Sequence, residues 1–253
     1  MERLTPARRI AGPARGFTLV ELLVVIGIIA LLIAILLPSL SKARDQAKIV
    51  ACSSNLRNVG QSMFLYAGQN KGKLPQHVGG SNWLWDLPNQ TRDAMLLSGN
   101  VRDTLYCPTN DRQNVDRLWD FVPGDTGFTV AGYYFMMKRP SAMTTVQMRN
   151  QLTGPGEIPM VKRWLETFQD KDPLAYRNSP SDIELAADAT ISDAPSRTAK
   201  FTDVRGGWAE PHWSNHFKKT LPTGGNILFL DGHVSWRGFK EMKCWLVSPS
   251  QWF

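Results

Sequence analysis

The sequence predicts an α+β fold in which a long N-terminal α-helix packs on an antiparallel β-sheet, with loop-rich insertions. Three observations lead to this prediction. Residues 17–37 form an apolar run, residues 38–75 continue it with an amphipathic helical pattern, and residues 76–253 are rich in Trp, Pro and Gly and contain short strand-like runs. Residues 1–16 precede these segments as a basic leader.

The apolar run has the length of a transmembrane helix. As a helix, residues 17–37 would extend about 31 Å, which matches the hydrocarbon core of about 30 Å. Every face is apolar except at Thr18, Glu21 and Gly27, whereas a soluble core helix would show a polar face. The run exceeds the core of a secretory signal and lacks a small-residue cleavage site after it. A cytoplasmic N-terminus is favoured by the preceding Arg3, Arg8, Arg9 and Arg15.

Beyond Pro38 the helical pattern continues with one apolar face. A single helix is therefore predicted from about residue 17 to residue 69, with Gly68, Gly72 and Pro75 ending it. Its first half would lie in lipid and its second half would cover a sheet. The apolar positions, mostly spaced by three or four, are Leu40, Ala43, Ala47, Val50, Ala51, Leu56, Val59, Met63 and Tyr66.

Glu21 is the costly feature of the membrane segment. A carboxylate there costs several kcal/mol unless it is paired, and the run itself offers no positive charge. A free α-amine at Phe17, four residues away on the same helix face, would exist if the chain were cut just before it. The stretch from Arg15 to Glu21, with its basic leader, the Gly before the cut and the Phe after it, resembles the processing motif of type IV prepilins and type II secretion pseudopilins.

This resemblance implies a structural subunit of a type IV pilus or a type II secretion pseudopilus. It implies cleavage after Gly16 by a prepilin peptidase, N-methylation of Phe17, and contact of Glu21 with the Phe17 amine of a neighbouring subunit. Pro38 stands where many members carry a helix-bending proline. The implied location is the bacterial inner membrane, with an extracytoplasmic C-terminal domain and an assembly platform as partner, followed by a periplasmic or cell-surface filament.

The globular part shows local signals of secondary structure. Predicted helices are Thr91–Leu97 and Val161–Phe168, and predicted strands are Thr104–Cys107, Thr129–Phe135, Ile183–Ala187 and Lys200–Val204. Asn226–Leu230 and His233–Trp236 flank Asp231-Gly232, which predicts a type I′ hairpin. Asp231, Gly232 and His233 resemble the C-terminal signature of a subgroup of large pseudopilin-like proteins. The element beginning at Cys52 and the Cys-Pro of Leu105–Asp111 resemble the same subgroup.

Few residues in the sequence are candidates for a disulfide, a metal site or catalysis. If the domain is exported, Cys52 and Cys107 are candidates for a disulfide, with free buried thiols as the alternative and Cys244 as the odd cysteine. Weak candidates for a metal site are His212, His216, His233 and Asp231, with Asp188 able to approach them; turn, strand and loop roles are the alternative. The sequence contains no Gly-x-Ser-x-Gly, P-loop or HExxH motif. It therefore predicts neither enzymatic activity nor a cofactor.

Two other functions compete with the filament subunit. One is a membrane-anchored polysaccharide-binding module, which would stack sugar rings on exposed tryptophans. The alternative role of these tryptophans is packing in the core and at subunit interfaces. The candidates are Trp83, Trp85, Trp208, Trp213, Trp245 and Trp252. A DNA-binding minor pilin is the weaker competitor. Of the net charge of +7, the leader's four arginines and one glutamate supply +3, which leaves a modest excess. A nucleic-acid partner is therefore not indicated.

Overall fold

The computed structural model describes residues 18–72, 74–75, 83–136, 180–205, 211–247 and 250–252. The chain divides into two compact units, Met1–Asp45 and Gln46–Phe253. A long N-terminal helix and antiparallel sheets make up the described residues, which confirms the predicted α+β class. The predicted helix Val161–Phe168 and most of the predicted insertion lie outside these residues.

Helix α1 runs from Leu19 to Gln69, as the apolar and amphipathic patterns predict. Its N-terminal part is long and apolar enough to cross a membrane, and none of the most apolar stretch is buried within the chain. Exposed large apolar side chains are expected of a helix that has lipid or other helices as its surroundings. Pro38 lies inside the helix, where it removes one backbone donor. Next to it, the Ser39 hydroxyl donates to the Leu36 carbonyl over 2.8 Å.

The second unit contains the C-terminal part of α1 and all the described strands. Among the described residues, the helices after α1 are α2 (Asn89–Leu97) and α3 (Asp116–Trp119), with short 3-10 helices at Arg102–Leu105 and Pro180–Asp182. The strands are β1 (Asp86–Pro88), β2 (Phe128–Val130), β3 (Tyr133–Phe135), β4 (Glu184–Asp188), β5 (Thr190–Ser192), β6 (Val204–Arg205), β7 (Pro211–His212), β8 (Phe217–Lys218), β9 (Leu221–Pro222), β10 (Gly224–Phe229), β11 (Val234–Gly238), β12 (Cys244–Val247) and β13 (Ser250–Trp252).

The strands pair in antiparallel fashion. The four-stranded sheet has the order β11-β10-β4-β3, and a three-stranded sheet has the order β12-β13-β5. The remaining described strands form the pairs β1-β2, β6-β7 and β8-β9. In the four-stranded sheet, Ile227 of β10 lies opposite Ala187 of β4, and Tyr133 of β3 lies opposite Asp188 of β4. This register carries Asp188 to the end of a buried strand.

The C-terminal part of α1 buries one face in the core of the second unit. Leu56, Val59 and Met63 are fully buried and share a cluster with Leu185 of β4 and Leu228 of β10. Those three positions of the predicted stripe are therefore correct. Positions nearer the membrane segment are not: Leu40, Val50 and Ala51 are exposed, because the buried face begins at Cys52.

Gly60 lets the helix and the sheet approach closely. A Cβ at this position would lie 3.0 Å from Leu228 Cδ1, which is tighter than ordinary van der Waals contact. On the other face of the sheet, a second cluster contains Tyr134, Ile227 and Phe229. Apolar side chains thus cover both faces of β3, β4 and β10, whose residues are all buried, whereas the edge strand β11 has none buried.

Three strand predictions needed correction. Residues Thr104–Leu105 belong to a 3-10 helix rather than a strand, since the Thr104 backbone N–H donates to the Val101 carbonyl. Of the predicted strand Lys200–Val204, only Val204 is in a strand. The predicted strand Thr129–Phe135 is divided into β2 and β3 at Gly132, whose N–H donates to the Leu105 carbonyl.

The hairpin is present, but its turn is not type I′. Strands β10 and β11 pair as predicted, and the Phe229 N–H donates to the His233 carbonyl, which leaves three residues in the loop. Of the three loop residues, only Gly232 has a positive φ, +88°, and its N–H donates to the Phe229 carbonyl. A type I turn followed by a left-handed residue fits a three-residue loop, whereas type I′ requires two positive φ angles.

Because α1 packs on the sheet through one face, we expect alanine substitution of two leucines in this helix to lower the free energy of unfolding by very different amounts. Leu56→Ala removes a fully buried side chain, and we expect it to lower the free energy of unfolding by about 2–5 kcal/mol. Leu65→Ala is the matched control: Leu65 is 54% exposed, so the cost should stay within about 0.5 kcal/mol. Denaturant unfolding of the full chain in detergent, followed by tryptophan fluorescence, measures both. Equal costs would contradict the assigned packing.

Candidate functional site

The N-terminal end of α1 is closed by a pair of residues that bind each other. The Thr18 backbone N–H and hydroxyl donate to Glu21 Oε2 over 2.9 and 2.8 Å, and the Glu21 N–H donates to Thr18 Oγ1 over 3.2 Å. This is the reciprocal capping box of a Thr followed three residues later by a Glu. It satisfies two of the donors that a helix N-terminus leaves unpaired.

The capping box corrects one part of the sequence analysis. Glu21 does find a partner within the run, although that partner is a hydrogen-bonding neutral residue and supplies no charge. Both bonds from Thr18 go to the same oxygen, Oε2. The spacing of Thr18 and Glu21 is itself the signal that could have revealed the contact. Gly16 and Phe17, the predicted cleavage and methylation positions, lie outside the described residues.

A second site lies in the core of the second unit. Cys52 of α1, Cys107 after the first 3-10 helix, Asp188 at the end of β4 and His216 before β8 bring one ligand atom each to within 4.8 Å of one another. All four residues are between 0% and 4% exposed. We call these four residues the buried cluster. They come from four separate segments of the chain, which the sheet and the helix face bring together.

Short contacts hold the buried cluster together. His216 Nε2 lies 2.9 Å from Asp188 Oδ2 and 3.4 Å from Cys107 Sγ. Cys52 Sγ lies 3.1 and 3.2 Å from the two oxygens of Asp188. The Tyr133 hydroxyl lies 3.5 Å from Cys52 Sγ and donates to a backbone carbonyl. The carboxylate of Asp188 is therefore the centre on which the other groups converge.

The Asp188 carboxylate is fixed by neighbouring amides. Its Oδ1 accepts from Asn215 Nδ2 over 2.9 Å. Its Oδ2 accepts from the Asn226 backbone N–H over 2.7 Å and lies 3.3 Å from Asn226 Nδ2. A buried carboxylate needs such donors, because an unpaired buried charge is very costly. The same Asn226 side chain donates to the Ile49 carbonyl, which ties β10 to α1 beside the cluster.

His216 reaches the cluster from an unusual backbone conformation. Its φ is +48°, which costs a residue with a Cβ about 1–2 kcal/mol. Its N–H donates to Thr109 Oγ1 over 2.8 Å, and its carbonyl accepts from the Thr223 N–H and hydroxyl. These contacts hold the loop in place. Strained backbone is often found where a side chain must be aimed at a functional site.

The electrostatics of the cluster favour an ion pair. Burial alone would raise the pKa of Asp188, but the charge of His216 and the donated hydrogen bonds outweigh it and lower that pKa. Burial acts to lower the pKa of His216, while the Asp188 carboxylate and Cys107 raise it to about 10. Burial raises the pKa of the Cys52 thiol well above its usual value. Asp188 is therefore charged at neutral pH, and His216 is its counter-ion.

The cluster changes two of the sequence predictions. In the structure Cys52 and Cys107 are both free buried thiols, which was the alternative to a disulfide, and both belong to the buried cluster. Of the predicted metal candidates, only His216 and Asp188 are in it. His212 lies in β7 against the Trp85 ring, 4.7 Å between ring centroids, and takes no part in the cluster.

Asp231 and His233 form a separate local contact in the hairpin loop. Asp231 Oδ1 accepts from the His233 N–H and lies 2.6 Å from His233 Nδ1. Burial acts to raise the pKa of Asp231, but the hydrogen bonds and charge of His233 outweigh it and lower that pKa. The His233 ring also stacks on Phe229. These residues therefore stabilise the turn, which was the alternative to metal binding in the sequence analysis.

The described tryptophans serve mainly as packing residues. Trp85 and Trp252 are 1% and 4% exposed, so their faces are not accessible to a sugar. Trp83 stacks on Trp85 with 5.6 Å between ring centroids, and Trp213 packs edge-on against Phe217. Trp208 and the side chain of Trp245 lie outside the described part of the chain. Among the described tryptophans, Trp236 is the most exposed, at 38%.

Comparisons with known proteins agree with the N-terminal motif. Residues 13–37 match the family model described as the prokaryotic N-terminal methylation motif. Over 57 residues the chain is 42% identical to the type IV wide pilus major component PilA4 of Thermus thermophilus, which covers 22% of this chain and 44% of the relative. The match therefore spans less than half of that relative's length. No solved structure shows significant similarity to the chain.

His212 predicts a pH dependence of stability. Burial lowers its pKa to about 4, and its Nε2 has no hydrogen-bond partner among the described residues. Below its ordinary pKa of about 6.5, the unfolded chain therefore binds a proton that the folded chain does not. This contribution to stability is complete above about pH 6.5 and is lost as the pH falls towards about 4. Between about pH 7.5 and about pH 5 it amounts to about 2 kcal/mol.

His212→Phe keeps an aromatic ring against Trp85 and removes the proton site. We expect the variant to lose about 2 kcal/mol less stability than the natural chain over that pH interval, measured by denaturant unfolding of the full chain in detergent. Parallel pH profiles for the natural chain and His212→Phe would contradict the assignment.

Proposed function

We propose that this chain, whose N-terminal segment is that of a type IV pilin-like protein, is a structural subunit that assembles into a filament. The observation that supports this most directly is the methylation motif at residues 13–37, which leads into an exposed apolar helix with a carboxylate in its first turn. The similarity to a pilus component agrees with a structural role without catalysis. The filament is a type IV pilus or a type II secretion pseudopilus.

The first step is processing of the leader. A prepilin peptidase on the cytoplasmic side cuts after Gly16 and exposes the α-amine of Phe17, which is then N-methylated. Until assembly the chain is a single-pass protein of the bacterial inner membrane, with its C-terminal domain outside the cytoplasm. The basic leader before the apolar run supports this orientation. An inner-membrane assembly platform then moves the subunit into the filament.

The second step uses Glu21 to set the register between subunits. The Phe17 ammonium of a neighbouring subunit pairs with the Glu21 carboxylate among apolar helices. An unpaired charge in such surroundings is costly, so subunits docked at the wrong axial offset are penalised. Thr18 donates to Oε2, which leaves Oε1 to accept the incoming ammonium.

Two variants of the capping box test the charge of Glu21 and its hydrogen bonding separately. Glu21→Gln keeps a residue that can complete a capping box but removes the charge, and we expect it to reduce filament incorporation at least about tenfold. Thr18→Val removes the capping hydroxyl and keeps the charge, and we expect incorporation within about twofold of natural. The measurement is the ratio of processed subunit in sheared filaments to processed subunit in membranes, by immunoblot.

The two variants give distinct outcomes. Normal incorporation of Glu21→Gln would contradict the proposed pairing. Loss in Thr18→Val with normal incorporation of Glu21→Gln would mean that Glu21 acts only by closing the helix N-terminus. Processing of both variants must first be confirmed from their mass, so that a defect in assembly is not mistaken for a defect in cleavage.

A further inference from the structure

We propose that the buried cluster is a structural zinc site, in which Cys52 Sγ, Cys107 Sγ, His216 Nε2 and one oxygen of Asp188 bind one Zn²⁺ ion. The four ligand atoms lie within 4.8 Å of one another in the core of the second unit. Two sulfurs, one imidazole nitrogen and one carboxylate oxygen are each ordinary zinc ligands, and four of them complete a tetrahedral shell. This site goes beyond the filament function and does not depend on it.

The spacing of the ligand atoms fits a tetrahedral ion. Zinc bonds of about 2.3 Å to sulfur and about 2.0–2.1 Å to nitrogen or oxygen place neighbouring ligand atoms about 3.3–3.8 Å apart. With Asp188 Oδ2 as the ligand oxygen, the cluster has 2.9 Å between His216 Nε2 and Oδ2, 3.2 Å between Cys52 Sγ and Oδ2, and 3.4 Å between Cys107 Sγ and His216 Nε2. Shifts of a few tenths of an ångström bring these pairs to the tetrahedral distances.

Hydrogen bonds within the cluster do not account for all these contacts. His216 Nε2 lies within reach of both Asp188 Oδ2 and Cys107 Sγ, yet one ring nitrogen offers a single proton or a single lone pair. Cys52 Sγ is nearly equidistant from both oxygens of Asp188, although it carries one proton. A metal ion at the common centre satisfies the four groups at once.

The surroundings of the cluster resemble the support that metal ligands usually receive. Asn215 Nδ2 and the Asn226 N–H donate to the Asp188 carboxylate, and Thr109 Oγ1 lies 3.0 Å from Cys107 Sγ. Outer hydrogen bonds of this kind orient first ligands and raise metal affinity. The His216 ring lacks such an outer bond, because its Nδ1 is buried with no hydrogen-bond partner among the described residues. Its polar contacts are made through Nε2, which faces the cluster.

The chemistry of the ligands and their burial indicate zinc in a structural role. Thiolates select zinc over the harder calcium and magnesium ions, and imidazole with carboxylate completes a set that tetrahedral zinc accepts. With four protein ligands no position remains for water or substrate, and the residues are almost completely buried. Because the ligands come from α1, β4 and two loops, the ion would link segments that are distant in the sequence, and its binding would contribute to folding.

The first test measures metal in the full chain purified in detergent from cells supplied with zinc. We expect about one zinc ion per chain after gel filtration. X-ray absorption at the zinc edge should show two sulfur ligands at about 2.3 Å and two nitrogen or oxygen ligands at about 2.0–2.1 Å. Less than about 0.1 zinc per chain, or a shell without sulfur, would overturn the proposal. So would a Cys52–Cys107 disulfide in the isolated protein, found by peptide mass spectrometry.

The second test uses matched cysteine variants. Cys107→Ser should lower the zinc content at least about fivefold, and Cys244→Ser, which changes the cysteine outside the cluster, should leave it unchanged. If Cys107→Ser fails to fold, refolding of the natural chain with cobalt(II) provides the second readout. Thiolate-to-cobalt charge-transfer absorption is expected, and its absence in a folded, reduced chain would overturn the proposal. Equal zinc in the two variants would overturn it as well.

Discussion

The proposed assembly of this chain depends on how a carboxylate in apolar surroundings is satisfied. Glu21 lies in the first turn of an exposed apolar helix, where Thr18 supplies hydrogen bonds but no charge. In lipid or in a helix bundle, a carboxylate without a cation is costly. The cleavage proposed after Gly16 creates the missing cation at Phe17 in every copy of the chain. The proposed processing and assembly are then linked by one electrostatic requirement, which a second subunit can meet.

The second unit meets the same requirement internally. Asp188 is also surrounded by apolar residues, but His216, Asn215, Asn226 and Cys52 all contact its carboxylate. In the core of the second unit, hydrogen-bond donors and a histidine surround the Asp188 carboxylate. At the helix N-terminus the chain leaves the charge without a cation among the described residues. That difference is expected if Glu21 is reserved for an intermolecular contact and Asp188 for the stability of the domain.

Local sequence signals predict several of the helices and strands. The features that they do not predict depend on contacts between distant parts of the chain. The long helix, α2 and the β10-β11 hairpin follow from periodicity and turn residues that act over a few positions. The break at Gly132 could not be predicted, since it depends on the approach of Tyr106 and Cys107 from elsewhere in the chain. For the same reason the sequence identified Cys107 and His216 separately, as a disulfide candidate and a metal candidate, while the fold places them 3.4 Å apart.

The N-terminal mass of the chain recovered from sheared filaments of the natural organism tests whether Phe17 supplies the partner of Glu21. If the Phe17 amine is the partner of Glu21, every assembled copy must lack residues 1–16 and begin at Phe17. Tandem mass spectrometry of the N-terminal peptide should then show N-methylphenylalanine as its first residue. Assembled copies that retain the leader would have no ammonium at Phe17, and finding them would contradict the account.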